Sequence, residues 1–470
     1  MKLSIKILFL FFLSCNLSFI SNLNCQNIRI SGVGENIEGK EIRLLQTLDL
    51  LTKYEKEIDS YFIKDSSFSF ELSLEESKII SLRIEAYNFR FIAQPGKNYR
   101  LRILPFNYNL SDSINTLFYE VNLPIIIENE NDLNKELYIF DSVINNYLIE
   151  NSREILVLRN KKLIDSLFKT IEYLKSKTND EYLKNYIDYS SAVLLYSSRL
   201  KSKEQIKRDL FYNKPILYDN LGYMNCFETI YGNYFSKGNK NISTNKLDFW
   251  LAKKDYFSII DTLGIDTLLR NEIFRELVLL QGMKEAYFSK NYINYEVIEM
   301  IKKLSFETKF IEHRRISENL INYLLSKSFK GTKAKDFTLT TIEGKEISLN
   351  KLSNKPSIIS FVKLSEIPSL KELNILHNLI DSLKDNYNII TITCDRNMET
   401  TYNFKVNSKT GSKYKWDFIH FDNKWSLLEA YNIRVFPTFI LVNNQGEILQ
   451  NPMKNPSEGG LYQLIPKKVE

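Results

Sequence analysis

Histidine, cysteine, proline and glycine are all scarce in this chain of 470 residues, which holds three, four, ten and fifteen of them. The histidines, His313, His377 and His420, are scattered and form no His-x-x-x-His pair. Zinc sites draw on clustered histidine and cysteine, so no metal and no cofactor is expected. Cys15, Cys25, Cys226 and Cys394 are too few to make the framework of a disulfide-stapled protein. Little glycine and proline excludes long flexible linkers, and the domains should abut. A concentrated basic face is missing as well: 63 basic residues stand against 57 acidic ones, a formal charge of +6. Short clusters such as Lys201-Ser-Lys-Glu-Gln-Ile-Lys-Arg208 mix both signs and read as solvated helix faces, so nucleic acid is not an expected partner.

What the chain has is the composition of a folded protein, 44% hydrophobic and 26% charged, with 28 tyrosines and 30 phenylalanines. Its length exceeds one ordinary core and implies about three domains. At the N-terminus, Lys2 and Lys6 precede the apolar run Ile7-Leu-Phe-Leu-Phe-Phe-Leu13, and polar residues follow from Ser14. That is the layout of a signal peptide, and the run falls short of the roughly 20 residues that span a bilayer. Two processing sites compete. Cys15 after Leu13-Ser14 can be read as a lipidation site; cleavage after Cys25 would release a soluble chain beginning at Gln26, where the first strand pattern starts. Either way the protein is expected outside the cytoplasm, in the periplasm or at the outer membrane. Membrane attachment is expected only through an acyl chain on Cys15. Cleavage at Gln26 leaves Cys226 and Cys394 as the remaining thiols.

From Asn27 to about Asn122 apolar residues alternate, as in Ile28-Arg-Ile30, Ile42-Arg-Leu44, Phe68-Ser-Phe-Glu-Leu72, Ile80-Ser-Leu-Arg-Ile84, Phe91-Ile92 and Tyr99-Arg-Leu-Arg-Ile103. Turn residues such as Gln94-Pro-Gly96 separate them. Period two predicts antiparallel strands of a small sandwich or barrel. From about Asn131 the period becomes helical: Leu137, Phe140, Val143, Ile144 and Tyr147 share one face, and Leu163, Leu167, Ile171 and Leu174 another. The expected division is a signal peptide over 1–25, an antiparallel β domain over 26–124, a helical domain over 125–328 and an α/β domain over 329–470, giving a multidomain α+β protein. His313 reads as a packing or surface residue, and Cys226, among Tyr223, Met224 and Phe227, as a small buried hydrophobe.

The last 140 residues begin with a hairpin pattern, Ala334–Leu339 and Gly344–Leu349. The buried strand Ser357–Val362, a helix from about Glu366 to Lys384 and the strand Ile389–Cys394 follow. Helices around Met398 and over Trp425–Tyr431 and a second hairpin complete the pattern, which predicts a mixed sheet between helices. Lys335-Asp-Phe-Thr-Leu, Glu343-Gly-Lys, the strand end Phe361-Val, Glu372 and Tyr431-Asn-Ile-Arg-Val-Phe-Pro-Thr-Phe439 make this region resemble an exported thioredoxin-fold domain of the TlpA/ResA-like family. Residues 28–103, with Gln94-Pro-Gly-Lys97, resemble the β domain that precedes such modules in exported Bacteroidetes proteins.

The resemblance implies a Cys-x-x-Cys pair opening the first helix, and here Glu366, Ile367, Pro368 and Ser369 stand in those four positions. In the active proteins the first thiolate attacks a disulfide and the second resolves the mixed intermediate. A carboxylate and an alcohol cannot exchange sulfur. As ordinary helix chemistry, Ser365 reads as a cap, Pro368 suits the first turn, and Ser369-Leu-Lys-Glu372 has a capping-box pattern. The resemblance also implies a cis-proline at Pro437, with Phe436 offering its backbone to an extended peptide. The expected function is therefore a thioredoxin-like protein without redox activity, binding an envelope protein or extended peptide, or acting as a scaffold. The alternative is a thiol-disulfide oxidoreductase or peroxidase-like enzyme working through the lone thiol of Cys394 in Thr393-Cys-Asp395.

Overall fold

Apolar alternation builds two sheets that share one core. The computed structural model describes residues 26–105, 121–129, 132–235, 241–328, 331–352 and 354–465; the expected signal peptide, with Cys15 and Cys25, lies outside these described residues. Strands β1 (Gln26–Gly34), β4 (Ser67–Leu74), β7 (Tyr99–Ile103) and β9 (Ile125–Ile127) form a sheet ordered β4-β1-β7-β9. Strands β2 (Glu41–Thr47), β3 (Glu55–Phe62), β5 (Lys78–Ile84), β6 (Tyr87–Ala93) and β8 (Val121–Asn122) form the other, ordered β3-β2-β5-β6-β8. Ile28 and Ile30, Ile42 and Leu44, Phe68 and Phe70, and Ile80, Leu82 and Ile84 meet between them, a sandwich closed by side chains of period two. Most pairings are antiparallel, but β1–β7 and β6–β8 are parallel. The sheet continues past residue 124 through β9. Strand β3 was not legible in the sequence because each of its eight residues is exposed or half-buried; an edge strand without a buried face carries no apolar alternation.

The middle of the chain is helical. Its principal helices are α1 (Leu133–Ser152), α2 (Lys161–Lys177), α3 (Glu181–Ser197), α4 (Leu221–Tyr231), α5 (Glu272–Phe288), α6 (Asn294–Glu307) and α7 (Ile311–Ser328). Asp132, Asn160, Asp180 and Asn220 cap the first four, each accepting a backbone N–H of the first turn. His313 on α7 is fully buried. Its Nδ1 lies 2.9 Å from Glu276 Oε1 and its Nε2 lies 2.8 Å from the Tyr218 hydroxyl, so it is a packing residue inside a satisfied polar chain.

The C-terminal unit is a five-stranded mixed sheet, ordered β14-β13-β12-β15-β16, preceded by a hairpin of β10 (Thr338–Thr340) and β11 (Glu346–Ser348). At its centre β12 (Ser357–Val362) is buried at all six residues. It runs parallel to β13 (Asn388–Thr393), which runs parallel to β14 (Asp417–His420). On the other side β15 (Thr438–Val442) and β16 (Ile448–Met453) are antiparallel. Ile359, Phe361, Ile390 and Ile392 enter one core and Ile358, Val362, Leu373 and Leu376 the other, as expected of a sheet covered on both faces. The helices that matter below are α8 (Ile367–Leu383) and α9 (Trp425–Ala430). The sequence reading lacked β14, whose four residues are too few to show a period.

Strand β2 joins the three units. At one end, the turn after it inserts Leu50 and Leu51 into the helical core. There the buried Asp49 carboxylate accepts from the Thr52 N–H and hydroxyl and from Asn319 on α7. At the other end, Arg43, 2% exposed, donates two 2.8 Å bonds to both oxygens of Glu429 on α9. Arg83 donates a third to the same carboxylate. Glu41 accepts from the Ser426 N–H at 3.0 Å and its hydroxyl at 2.7 Å. Helix α9 has no side-chain cap of its own, so a carboxylate from the β domain satisfies its first turn.

The Arg43–Glu429 pair makes the docking acid-sensitive. Partial burial would raise the Glu429 pKa, but the hydrogen bonds and charge of Arg43, and then of Arg83, outweigh it and hold the carboxylate below its usual range. A depressed carboxylate contributes stability that is complete above the ordinary value of 4.5 and is lost as pH falls through the folded value. Glu429→Gln should remove that acid-limb dependence. It should also cost about 2 kcal/mol at neutral pH, less than a wholly buried pair because Glu429 stays in contact with water. Urea titrations of both proteins at neutral and acidic pH measure this; parallel pH profiles would contradict it.

Candidate functional site

The site forms where β12 passes into α8. The strand ends at Val362, a three-residue loop follows, and Glu366, in extended conformation, precedes the first helical turn. Pro368 takes the second helical position, where a missing N–H costs nothing. No side chain caps this helix, which corrects the expectation for Ser365 and for a Ser369–Glu372 capping box. The loop amides are instead satisfied from β13. Asp395, 6% exposed, accepts from the Leu364 N–H at 2.7 Å and the Ser365 N–H at 3.1 Å. Ser369 is buried, and its hydroxyl oxygen accepts from the Lys363 N–H at 3.2 Å. Glu372, buried one turn further on, accepts from the Ser457 N–H at 2.8 Å and from its hydroxyl at 2.5 Å. Each carboxylate is drawn to the nearest cluster of unpaired donors, because a buried anion without them is costly.

Lys363 connects the motif to the proline segment. Its Nζ lies 3.9 Å from Glu366 Oε1 and 5.3 Å from the centre of the Phe436 ring, a cation–π distance. The Phe436–Pro437 bond is cis, and both residues are buried. The structure thus gathers Glu366, Ser369 and Phe436 around a lysine and an aspartate that sequence reasoning passed over. The signal for both was positional. Lys363 and Asp395 lie just past the carboxyl ends of parallel neighbours β12 and β13, where open α/β sheets collect functional groups. Beside this cluster Ile367 is 81% exposed and Val435 is 47% exposed.

Electrostatically the motif carries a partly desolvated acid. Burial raises the Glu366 pKa, Lys363 opposes the rise and Asp395 adds to it. Ser369 has no base to activate it. His420, the histidine bound to Asp395, accepts the Asp422 N–H on Nδ1 at 3.0 Å and so donates from Nε2 to the Asp395 carbonyl at 2.7 Å. Both ring nitrogens are occupied, and the arrangement lacks the nucleophile–base pair of covalent catalysis.

The thiols are withdrawn from solvent. Cys394 is 4% exposed and Cys226 is fully buried, and both are free. Burial pushes the Cys394 thiol well above its ordinary value, and the adjacent Asp395 charge pushes the same way. Burial raises Cys226 to about 12. They belong to different cores, and neither supplies a thiolate at neutral pH. Among the described residues, no group of three or more His, Cys, Asp or Glu side chains could hold a metal ion.

A family model described as thioredoxin-like matches residues 354–448, the segment that carries this site. Similar solved structures include the thioredoxin domain of a thiol-disulfide oxidoreductase from Bacteroides vulgatus, 23% identical, covering 29% of this chain and 98% of that one, with a TM-score of 0.26. A thiol:disulfide interchange protein from Bacteroides sp. is 22% identical over 30% of this chain and 93% of its own, with a TM-score of 0.26. An exposed lipoprotein thioredoxin from Streptococcus pneumoniae is 17% identical over 28% and 97%, with a TM-score of 0.23. No curated protein matches the chain. The C-terminal domain is thioredoxin-like, carried on a β sandwich and a helical region.

Asp395→Ala leaves the buried Leu364 N–H and the part-buried Ser365 N–H without their acceptor and should destabilise the domain by about 1–3 kcal/mol, while Asp395→Asn, which keeps one acceptor, should lose about half of that. Denaturant titration gives the magnitude, and faster amide exchange at Leu364 and Ser365 locates it. Native-state alkylation followed by peptide mass mapping should leave Cys226 and Cys394 unmodified until denaturant is added.

Proposed function

We propose that this is an exported thioredoxin-like protein that binds a partner at the β12–α8 junction and does not exchange disulfides. One observation carries the reading: the two positions at which the resembling oxidoreductases place sulfur hold Glu366 and Ser369, a carboxylate 3.9 Å from Lys363 and a hydroxyl turned inward to a backbone amide. Thiol exchange needs a thiolate to attack and a second thiol to resolve the mixed disulfide. Cys394 offers no substitute, since its sulfur is enclosed and its proton firmly held; the one-cysteine enzyme is the weaker reading for that reason. The partner we favour is an extended envelope peptide. Its backbone would pair beside Phe436, and an apolar side chain would cover Ile367 and Val435, with Lys363 and Glu366 setting polarity at the edge. Export rests on the N-terminal signal pattern.

Turnover of insulin disulfides with a regenerating reductant tests this. The wild-type protein should not exceed the uncatalysed rate. The double variant Glu366→Cys/Ser369→Cys places two thiols three residues apart at the same helix start. It should raise the rate by about tenfold or more, because the helix N-terminus favours the first thiolate. Wild-type activity equal to that of the double variant would overturn the proposal. A double variant that forms its disulfide yet stays inactive would show that the surrounding surface, and not merely the sulfur, has been lost.

A further inference from the structure

Where α1 turns back into α2, the chain presents aliphatic side chains to water. Ile149 is 76% exposed, Val157 69%, Leu158 61% and Leu156 38%. The turn itself is ordered by hydrogen bonds. A π-helical turn over Arg153–Val157 continues α1, the Leu158 N–H donates to the Arg153 carbonyl at 2.9 Å, and the Asn160 N–H donates to the Glu154 carbonyl at 2.8 Å. Arg159 adopts a left-handed conformation, φ 54°, that redirects the chain, and Asn160 caps α2. Ile155, 1% exposed, anchors the turn in the core beneath. The backbone therefore holds Leu156, Val157 and Leu158 outward on a fixed tip.

Charge states what such a tip fits. Arg153, Arg159, Lys161 and Lys162 are all exposed and flank the aliphatic group in sequence, against three acids, Glu150, the half-buried Glu154 and Asp165. None of the four cations makes an ion pair among the described residues. Exposed cations with apolar stems flanking projecting aliphatic side chains match a bilayer interface, where the hydrocarbon boundary takes the aliphatic groups and lipid phosphates take the cations. We infer that the α1–α2 tip docks this protein onto membrane surfaces that carry anionic lipid. The site is independent of the β12–α8 junction. It also departs from the sequence reading, which confined membrane association to an acyl chain on Cys15. A single acyl chain gives only marginal, reversible binding, and a second signal converts it to a stable anchor; the tip supplies such a signal.

Co-sedimentation with vesicles tests the inference, using the expected mature chain from Gln26 onward so that neither an acyl chain on Cys15 nor the lysine-flanked apolar segment contributes. Binding is expected to equal parts of phosphatidylglycerol and phosphatidylcholine. It should weaken by about tenfold on pure phosphatidylcholine or at high salt, as screening of exposed charge requires. Val157→Glu/Leu158→Glu, at exposed positions that leave the core intact, should lower binding by a similar factor with an unchanged circular dichroism spectrum. Leu158→Trp should shift its emission to the blue when anionic vesicles are added. No binding to anionic vesicles, equal binding by the double-Glu variant, or a concentration-dependent dimer abolished by that variant without lipid binding would each overturn the inference.

Discussion

The three units are held in one arrangement by the two ends of strand β2. Arg43 leaves its N-terminal half with a guanidinium that is nearly inaccessible to water, and such a group is tolerated only with matched acceptors. Glu429 of the thioredoxin-like domain provides both oxygens. Beyond the opposite end, the Asp49 carboxylate ties the following turn to Asn319 of the helical region, while Leu50 and Leu51 enter that region's core. Because β2 lies inside the five-stranded sheet, between β3 and β5, neither attachment can shift without disturbing the sandwich. The units abut where charges are completed across the seams, Arg43 with Glu429 and Glu41 with Ser426.

The same logic applies at the β12–α8 junction. In this chain the loop between β12 and α8 owes its shape to acceptors rather than to a disulfide. Asp395 takes the Leu364 and Ser365 amides, Ser369 takes the Lys363 amide, and Glu372 fixes the turn at Ser457. None of these contacts needs a thiol at position 366 or 369. Glu366 contributes no side-chain cap; its carboxylate faces Lys363 at 3.9 Å and keeps a pKa raised chiefly by burial.

The legible part of the sequence was the part with a period. Ile28, Ile30, Ile80, Leu82 and Ile84 alternate because one face of each strand is buried, and the uninterrupted apolar run of β12 reflects burial on both faces. Strand β3 escaped because it buries neither face, and β14 because four residues carry no pattern. At the site, the types at 366 and 369 could be read directly, and the Phe436–Pro437 bond is cis. Lys363 and Asp395 were invisible as partners, since their meaning comes from β12 and β13 lying side by side, a pairing across 31 residues of sequence. The capping pattern at Ser365 and Ser369 misled for a related reason. The helix begins at Ile367 behind Glu366, so Ser365 lies outside the cap position, while Ser369 turns inward to the Lys363 N–H and Glu372 is drawn to Ser457, contacts set by the tertiary fold and not by local spacing.

The reactive side chains outside that junction are turned inward. His313 lies between Glu276 and Tyr218, His377 packs against the rings of Tyr414 and Trp416, and His420 is fixed by Asp395 and Asp422. Cys226 and Cys394 are core residues. Groups that catalysts keep accessible thus serve here to complete polar networks and fill interiors. Among the exposed aliphatic side chains are Ile367 and Val435 at one place and Ile149, Leu156, Val157 and Leu158 at another, alongside others such as Ile265, Ile293 and Ile311. A contiguous group of exposed aliphatic side chains on an ordered backbone, unlike a single one, marks a surface suited to association.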